Sequence, residues 1–398
     1  MKIISVDVFM LKHTGTAYSA FPLRPCVCRV NTDEGIYGYG EAGISIGFGE
    51  KGVAQFLADI ASLIIGMDPM QNEAIWEMIR CRCSGHLSGG GVVVFSAMGA
   101  LDTALMDIKG KALGVPCYQL LGGKHRETLR CYVSQAQTGW RRNFKPIGTS
   151  EGYADVSKRI QDEGFDAVKI NFIAYNREAN TIPRSVTTGP LSKDLLRMIE
   201  ERLSAIRSVC GTDMGIIMEN ICATDVTAAV QIAHLAEQYD VLFLEEPVFN
   251  FNPELLGVIA RKTRVPLSSG EKVHTRWGFY QMLKENAVSI IQPDLCNTGG
   301  LAEAKKICDM AHIFDVKMQA HVAGTPISEA AAMQLEAAVP NFFIHEYYSM
   351  ANCPECLEYC TSIYEPVNGY ITVPELPGIG QELSDKAIAE AIGHIIVD

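Results

Sequence analysis

Three glutamates recur at one interval in the second half of the chain and are its clearest candidates for chemistry. Glu219, Glu245 and Glu271 are separated by 26 residues and then by 26 again (245 − 219 and 271 − 245). Each follows an apolar run typical of a strand, and parallel strands bring such side chains to one mouth. Three converging carboxylates repel one another unless a cation lies among them, and oxygen ligands suit Mg²⁺. The alternative is that each carboxylate pairs with a lysine or an arginine.

A possible acid–base pair follows on the next two apolar runs. Asp294 and His321 stand 27 residues apart (321 − 294), each just after a predicted strand. A carboxylate bonded to one imidazole nitrogen fixes the tautomer and raises the basicity of the other nitrogen, as a general base requires. Alone, such a pair is a weak signal, and the alternative is a buried structural histidine. Beside three carboxylates it indicates a catalytic dyad.

Composition narrows the classes of partner. The chain has 398 residues, with 34 Lys and Arg against 46 Asp and Glu, which gives a net charge of −12. An acidic surface repels phosphate backbones and anionic lipids, so we expect neither nucleic acid nor a membrane as a partner. No apolar run reaches 18 residues, and Asp7 comes too early for a signal peptide. We therefore expect a cytoplasmic protein.

The 13 cysteines do not indicate a disulfide framework, because they are diluted in a long chain. Cys353, Cys356 and Cys360 alone have a spacing typical of metal ligands, and the neighbourhood offers no fourth ligand. We interpret them as reduced structural thiols.

The elements that must position these residues are short β-rich runs alternating with helical runs. Eight candidate strands end near Ser134, 169–171, Glu219, Glu245, Gly270, Asp294, His321 and Glu346. Eight such units predict an α/β fold with a TIM-type (β/α) barrel, because no Gly-rich dinucleotide turn follows the first strand. The connection 172–193 lacks a predicted helix, and its length favours a functional flap.

Two further segments flank the predicted barrel. A β-meander over 2–41 is followed by helical spacing over 53–81 and 97–113, which indicates an α+β capping domain. We predict the capping domain at 1–124 and the catalytic barrel at 125–368. The segment 369–398 is predicted to return to the capping domain and complete it.

On these motifs the chain resembles the enolase superfamily in its mandelate racemase branch, over almost its whole length. The matching barrel motifs are Leu244-Glu245-Glu246-Pro247, Ser269-Gly270-Glu271, Gln292-Pro293-Asp294 and Gly299-Gly300, and a capping-domain match spans 97–123. The resemblance implies a TIM-type barrel with a capping domain. It also implies a small-molecule carboxylate substrate from which a proton next to the carboxylate is removed, with one Mg²⁺ per active site and a homo-oligomer.

The resemblance assigns roles to individual residues. It implies Glu219, Glu245 and Glu271 as metal ligands, with His321 and Asp294 as the dyad. Within the branch, the stretch 290–329 is most similar to sugar-acid dehydratases of the galactonate and mannonate type. The glutamate on their last strand matches Glu346.

Two departures from the family pattern bear on the reaction. Racemases of this branch carry Lys-x-Lys on the second strand, whereas this chain has Lys169-Ile170-Asn171, so one base is absent. Lys169 is implied to hold the enediolate, and Asn171 favours a dehydratase over a two-base racemase. Related dehydratases keep an acidic histidine where this chain has Ile221. The acid would then be His321 itself in a syn elimination, a residue of 172–193, or one from the capping hairpin.

The function we expect is Mg²⁺-dependent dehydration of an aldonate or aldarate to a 2-keto-3-deoxy acid. The alternatives are an isomerase, cycloisomerase or epimerase on a related acid, and a metal- and acid-binding paralogue with impaired catalysis. Substrate identity is expected to depend on the loops 14–24 and 44–51. Their candidate contacts are Tyr18, Phe21, Arg24 and Phe48.

Overall fold

The computed structural model describes residues 1–14, 23–43, 48–86, 90–141, 143–349 and 351–398. Two of the predicted loop contacts, Tyr18 and Phe21, lie outside these residues. No helix of the described ranges combines the length and the apolar character needed to cross a membrane.

The N-terminal part combines an antiparallel sheet with packed helices. Its elements are β1 (Ile3–Met10), β2 (Cys26–Thr32), β3 (Tyr37–Ala42), α1 (Glu50–Ala61), α2 (Asn72–His86), α3 (Val92–Leu113) and α4 (Cys117–Leu120). Sequence analysis assigned one helical stretch to 53–81. The structure breaks it into α1 and α2, because Gly66 takes a positive φ and Pro69 opens a separate 3₁₀ turn.

The second part alternates strands and helices around a parallel sheet. Its elements are β4 (Thr128–Ser134), β5 (Gly139–Trp140), β6 (Asn143–Phe144), α5 (Ser150–Asp162), β7 (Ala167–Ile170), α6 (Lys193–Cys210), β8 (Gly215–Glu219), α7 (Val226–Ala236), β9 (Phe243–Glu245), α8 (Glu254–Ala260), β10 (Leu267–Ser269), α9 (Thr275–Leu283), β11 (Ile290–Ile291), α10 (Leu295–Thr298), α11 (Leu301–Ile313), β12 (Lys317–Met318), α12 (Pro326–Ala338) and β13 (His345–Tyr348). The C-terminal elements are α13 (Pro354–Leu357), β14 (Tyr370–Thr372), α14 (Asp385–Ala389) and β15 (Gly393–Val397).

The parallel sheet runs in the order β12-β11-β10-β9-β8-β7-β4-β13. A parallel bridge also joins Met318 of β12 to Phe342, three residues before β13 begins. The predicted α/β class with a curled parallel sheet and an N-terminal cap is confirmed, whereas closure into a complete barrel stays a prediction. At the other end of the chain, β14 pairs with β4 and β15 pairs antiparallel with β1.

Helix starts follow local capping chemistry. Thr149, Ser192, Asp225 and Thr325 precede α5, α6, α7 and α12, and each side chain accepts a hydrogen bond from the first turn. Such caps satisfy backbone N–H groups that have no partner inside the helix. They fix where each helix leaves the loop that carries the site residues.

Two close contacts lock the elements that flank the sheet. A Cβ at Gly40 of β3 would lie 2.0 Å from the carbonyl oxygen of Ala100, so α3 packs directly on the strand. Arg202 of α6 is fully buried and donates to the carbonyl oxygens of Phe172 and Gly148, both at 2.7 Å. The arginine thereby holds the start of the 172–193 connection, which contains a short 3₁₀ turn at Arg184–Val186.

Candidate active site

The site is a polar layer on one face of the parallel sheet. An apolar layer lies beneath it and is formed by Tyr132, Ala167, Ile217, Phe243, Ile290 and Ile344. Two residues further along the chain from each of these stand, in order, Ser134, Lys169, Glu219, Glu245, Gln292 and Glu346, all within a strand except Gln292, which directly follows β11. Because side chains in a strand alternate with a period of two, both layers face the same side. The strand pattern itself therefore aims six polar side chains at one place.

Glu219, Glu245 and Glu271 converge in this layer. Their carboxylate oxygens lie within 4.8 Å of one another, and Glu219 pairs in register with Glu245 across β8 and β9. Glu271 stands two residues after β10 ends, on the loop that follows. Burial raises the pKa of both Glu219 and Glu245, although the Lys169 charge opposes this. Among the described residues, no other group of three or more His, Cys, Asp or Glu side chains lies close enough together to hold a metal ion.

Lys169 is the positive centre of the layer. Its Nζ lies 2.5 Å from Glu245 Oε1, 2.7 Å from Glu346 Oε1 and 3.9 Å from Glu219 Oε2. The side chain is 1% exposed. Burial lowers the pKa of Lys169, but these carboxylates outweigh it and hold the pKa well above its ordinary value. Lys169 therefore stays charged and links its own strand, β7, to β8, β9 and β13.

The sequence predicted that a strand ends near Glu346. In the structure Glu346 is the second residue of β13, and the strand continues to Tyr348. Its Oε1 accepts from Ser134 Oγ at 2.6 Å, and its Oε2 accepts from the backbone N–H of Val322 at 2.9 Å. Burial raises the pKa of Glu346, but Lys169 and His321 reverse the shift and lower it. Glu346 thus ties Lys169 to the loop that carries His321.

His321 and Asp294 form the predicted pair. A hydrogen bond of 2.8 Å joins His321 Nδ1 to Asp294 Oδ2, while His321 Nε2 lies 3.2 Å from Glu271 Oε2. Both residues lie three positions beyond their strands, in the loops after β11 and β12. Burial lowers the pKa of His321, but Glu271, Glu346 and Asp294 together raise it to about 10. The dyad therefore meets the carboxylate trio through Glu271.

Two other predicted positions do not hydrogen-bond to this cluster. Asn171 is buried, and its Oδ1 accepts from the backbone N–H of Ile173 at 3.0 Å, which turns it towards its own loop. Ile221 is 42% exposed with a φ of 47°. In the capping part, the Arg24 guanidinium lies 5.1 Å above the Phe48 ring.

Sequence reasoning missed several polar partners of the carboxylates. Gln135, which follows β4 with a φ of 62°, donates to Glu219 Oε2, and Gln292 donates to Glu245 Oε2 at 2.6 Å. Lys272 contacts Glu271 Oε1. Gln292 was visible in the same motif as Asp294, and Lys272 is the sequence neighbour of a predicted ligand.

The predicted alternative for the glutamates is also present in the structure, because Lys169 pairs with Glu219 and Glu245 and Lys272 pairs with Glu271. The cysteines Cys353, Cys356 and Cys360 are free, buried thiols. This agrees with their interpretation as reduced structural residues.

Two family models match the chain. One, described as Enolase C-terminal domain-like, matches residues 153–387. The other, described as Mandelate racemase / muconate lactonizing enzyme, N-terminal domain, matches residues 16–122. Together they confirm the resemblance inferred from the motifs.

Individual relatives cover almost the whole chain. A D-galactonate dehydratase from Ralstonia pickettii is 30% identical over 96% of this chain and 94% of its own length. A D-galactarolactone cycloisomerase from Agrobacterium fabrum is 31% identical over 98% of both. Among solved structures, a member of the enolase superfamily from Salmonella Typhimurium is 42% identical, with a TM-score of 0.95 over 100% of both chains.

Proposed function

Because the chain belongs to the mandelate racemase and muconate lactonizing enzyme family of the enolase superfamily, we propose that it is a hydro-lyase acting on a sugar acid. The substrate is an aldonate or aldarate, and the product is a 2-keto-3-deoxy acid. The observation that carries the proposal is the His321–Asp294 dyad, which contacts the carboxylate trio at Glu271, while Lys169 contacts the other two members of the trio.

Glu219, Glu245 and Glu271 are the proposed ligands of one Mg²⁺. The donor set fits this ion, since three carboxylates offer oxygen atoms within 4.8 Å of one another and hard cations prefer oxygen. The burial that raises the pKa of two of them also means that their charged forms are costly without a cation. When bound, Mg²⁺ supplies positive charge that makes the carbon next to a substrate carboxylate more acidic.

His321 is the proposed base. Asp294 holds Nδ1, which leaves Nε2 as the atom that takes the proton from the α-carbon. Glu271 is the largest of the charges that raise the pKa of His321. A cation that neutralised the Glu271 carboxylate would therefore lower the pKa of His321, towards the range in which an imidazole accepts a proton.

Lys169 is the proposed electrostatic stabiliser. Its ammonium is held by Glu245 and Glu346, so it is already oriented before negative charge develops on the substrate oxygens. A preorganised charge in a buried site costs little reorganisation during the reaction. Glu346 acts through Lys169 and is therefore a positioning residue in this scheme.

Departure of the β-hydroxyl requires an acid, and Ile221 cannot provide one. Protonated His321 is the proposed donor, because it already holds the proton removed from the α-carbon. A single residue acting on one face implies syn elimination. Asn171 remains a proposed site residue, at the position where racemases of the branch keep a second lysine.

A relative named D-galactonate dehydratase supports dehydration. A relative named D-galactarolactone cycloisomerase, at similar identity, favours a second candidate, in which the same proton removal leads to isomerisation of a lactone. Ile221 also fits this second candidate, because an isomerisation releases no water and needs no acid for a departing hydroxyl.

The first experiment is a screen of aldonic and aldaric acids and their lactones with Mg²⁺. Trapping of a 2-keto acid with semicarbazide identifies dehydration, and NMR identifies an isomerised lactone. A dehydratase gives the trapped product from at least one acid. If only lactones react, the second candidate is correct. If nothing reacts, the hydro-lyase assignment is wrong for the acids tested.

The second experiment tests the roles of individual residues. In D₂O, His321→Asn should lose deuterium incorporation at the α-carbon by a factor on the order of 10² or more. The matched control is His274→Asn, because the His274 ring bonds instead to the carbonyl oxygen of Asn297. Exchange at the parent rate in His321→Asn would exclude His321 as the base.

In calorimetry, Glu245→Gln should weaken Mg²⁺ binding. An affinity equal to that of the parent protein would exclude Glu219, Glu245 and Glu271 as the ligands.

A further inference from the structure

Lys272 occupies an unusual position beside the carboxylate trio. Its Nζ contacts Glu271 Oε1 and also lies 3.4 Å from Glu246 Oε2. One of these carboxylates is a proposed metal ligand, and the other is not. The Lys272 ammonium is thus shared between Glu271, which would bind the cation, and Glu246, which would not.

Glu246 is a fixed anchor. It is fully buried, and its Oε1 accepts from Ser269 Oγ at 2.6 Å and from the backbone N–H of Gly270 at 2.9 Å. Its Oε2 accepts from Cys222 Sγ at 2.7 Å. Because these donors come from the loop after β8 and the end of β10, Glu246 cannot follow Lys272 if the lysine moves.

The two lysines of the site differ in their freedom. Lys169 is 1% exposed and is held by two carboxylates at 2.5 and 2.7 Å. The Lys272 side chain is 35% exposed and extends from a loop. A long, partly solvated ammonium can change partner at low cost, whereas a buried one in a closed network cannot.

We propose that Lys272 is the displaceable counter-ion of the metal site. In the metal-free protein it neutralises Glu271, and when a divalent cation binds it transfers its contact to Glu246. This inference rests on the proposed metal site. It adds that the affinity of the site is set by competition between the cation and a lysine of the chain itself.

The competition predicts opposite effects for two variants. Lys272→Met frees Glu271, so Mg²⁺ should bind about threefold to fivefold more tightly, the upper part of the range expected for a partly exposed ion pair. Glu246→Gln removes the alternative partner, which leaves Lys272 on Glu271 and weakens Mg²⁺ binding by a similar factor. Lys272→Arg keeps the charge and should stay within about twofold of the parent affinity.

The double variant separates competition from simple long-range charge. If Glu246 acts through Lys272, adding Glu246→Gln to Lys272→Met changes the Mg²⁺ affinity by less than about twofold. If Glu246 merely adds negative charge, the same change weakens binding equally in both backgrounds, which would overturn the proposal. The four proteins form a double-mutant cycle, with Lys262→Met as a matched loss of a lysine away from the cluster.

The measurement is calorimetric titration of the EDTA-treated full-length protein with MgCl₂, with circular dichroism to verify folding. A parent that binds no Mg²⁺ refutes the proposed metal site itself. A parent that binds Mg²⁺ and loses it in Glu245→Gln, but is unchanged in Lys272→Met, refutes only the counter-ion. If Glu246→Gln does not fold, the contrast between Lys272→Met and Lys272→Arg still decides, because equal affinities in the two exclude competition.

Discussion

A second buried histidine, outside the active site, gives a prediction that can be worked through to a magnitude. His345 is fully buried, with Nδ1 2.6 Å from Glu336 Oε2 and Nε2 3.7 Å from Glu329 Oε1. Both glutamates lie on α12. We expect His345→Gln to lower the free energy of unfolding strongly near neutral pH, because it leaves two buried carboxylates without a positive partner.

The size of the effect follows from the pKa of His345. Burial lowers this pKa, but Glu336 and Glu329 outweigh it and raise the pKa from 6.5 to about 10. A shift of roughly 3.5 pH units corresponds to about 5 kcal/mol. Burial also raises the pKa of Glu336, which offsets part of the gain. A net loss of about 3–5 kcal/mol is therefore expected, as is typical when one partner of a buried pair is removed.

The pH dependence has a definite sign. A histidine whose pKa is raised by folding stabilises the protein fully below its unfolded pKa of 6.5, and this contribution is lost as the pH rises towards 10. The difference between parent and His345→Gln should therefore narrow by about 4 kcal/mol between pH 6.5 and pH 9.5. Urea unfolding at several pH values measures it directly.

The matched control is another histidine–carboxylate pair. His394 Nε2 lies 2.7 Å from Asp7 Oδ1, but the His394 side chain is 40% exposed. His394→Gln should cost at most about 1 kcal/mol. The reasoning is refuted if the gap between parent and His345→Gln stays constant with pH, or if the exposed and buried histidines cost the same.

Three further predictions concern packing and the thiols. Gly40→Ala should destabilise the protein by about 2 kcal/mol or more, since the new methyl would lie 2.0 Å from Ala100 O. Gly52 lies in α1 with open space around it, so Gly52→Ala should stabilise the protein by about 0.5–1 kcal/mol. Urea unfolding measures both changes. Arg202→Met should cost about 2–4 kcal/mol, because two buried carbonyl oxygens lose their donors; a loss below about 0.5 kcal/mol would contradict this. Thiol titration of the native protein should find one fast-reacting group, Cys81, and all 13 in denaturant, since the other cysteines are buried.

The sequence predicted the sheet and the convergence of its polar residues well, for a physical reason. An apolar strand residue followed two positions later by a polar one signals a side chain on the same face of the sheet. Ile217 and Glu219, Phe243 and Glu245 follow this rule. The position of each glutamate after an apolar run was therefore enough to predict that these glutamates converge.

The same alternation explains what was overlooked at β13. Adjacent residues His345 and Glu346 point to opposite faces, so Glu346 meets Lys169 while His345 meets Glu336 on the helix behind the sheet. The predicted strand ended at Glu346, and His345 was assigned no role. Strand side chains alternate with a period of two, which places these two neighbouring residues in different environments.

Loops account for most of what the sequence could not predict. Gln135 reaches Glu219 only because its backbone takes a φ of 62°, a conformation that few residues other than glycine adopt and that no periodicity encodes. Lys272 bends back onto the residue before it and also lies 3.4 Å from Glu246 Oε2, although nothing in the spacing of these residues predicts either contact. Such contacts arise from tertiary packing of loop ends and cannot be read from spacing.

The charges of the site differ in how firmly the fold holds them, and this difference bears on function. Lys169 lies within a strand, so its charge is positioned by the backbone of the sheet itself. Glu271, Lys272, Asp294 and His321 all lie beyond strand ends, where loops hold them through a few hydrogen bonds. In the proposed reaction, groups that must stay fixed while charge develops would benefit from the sheet, whereas groups that exchange a proton or a partner would benefit from the loops. Apart from Asp294, which orients His321 from a loop, the division of the site between strand and loop residues therefore matches the division between fixed and changing charges that the proposed chemistry requires.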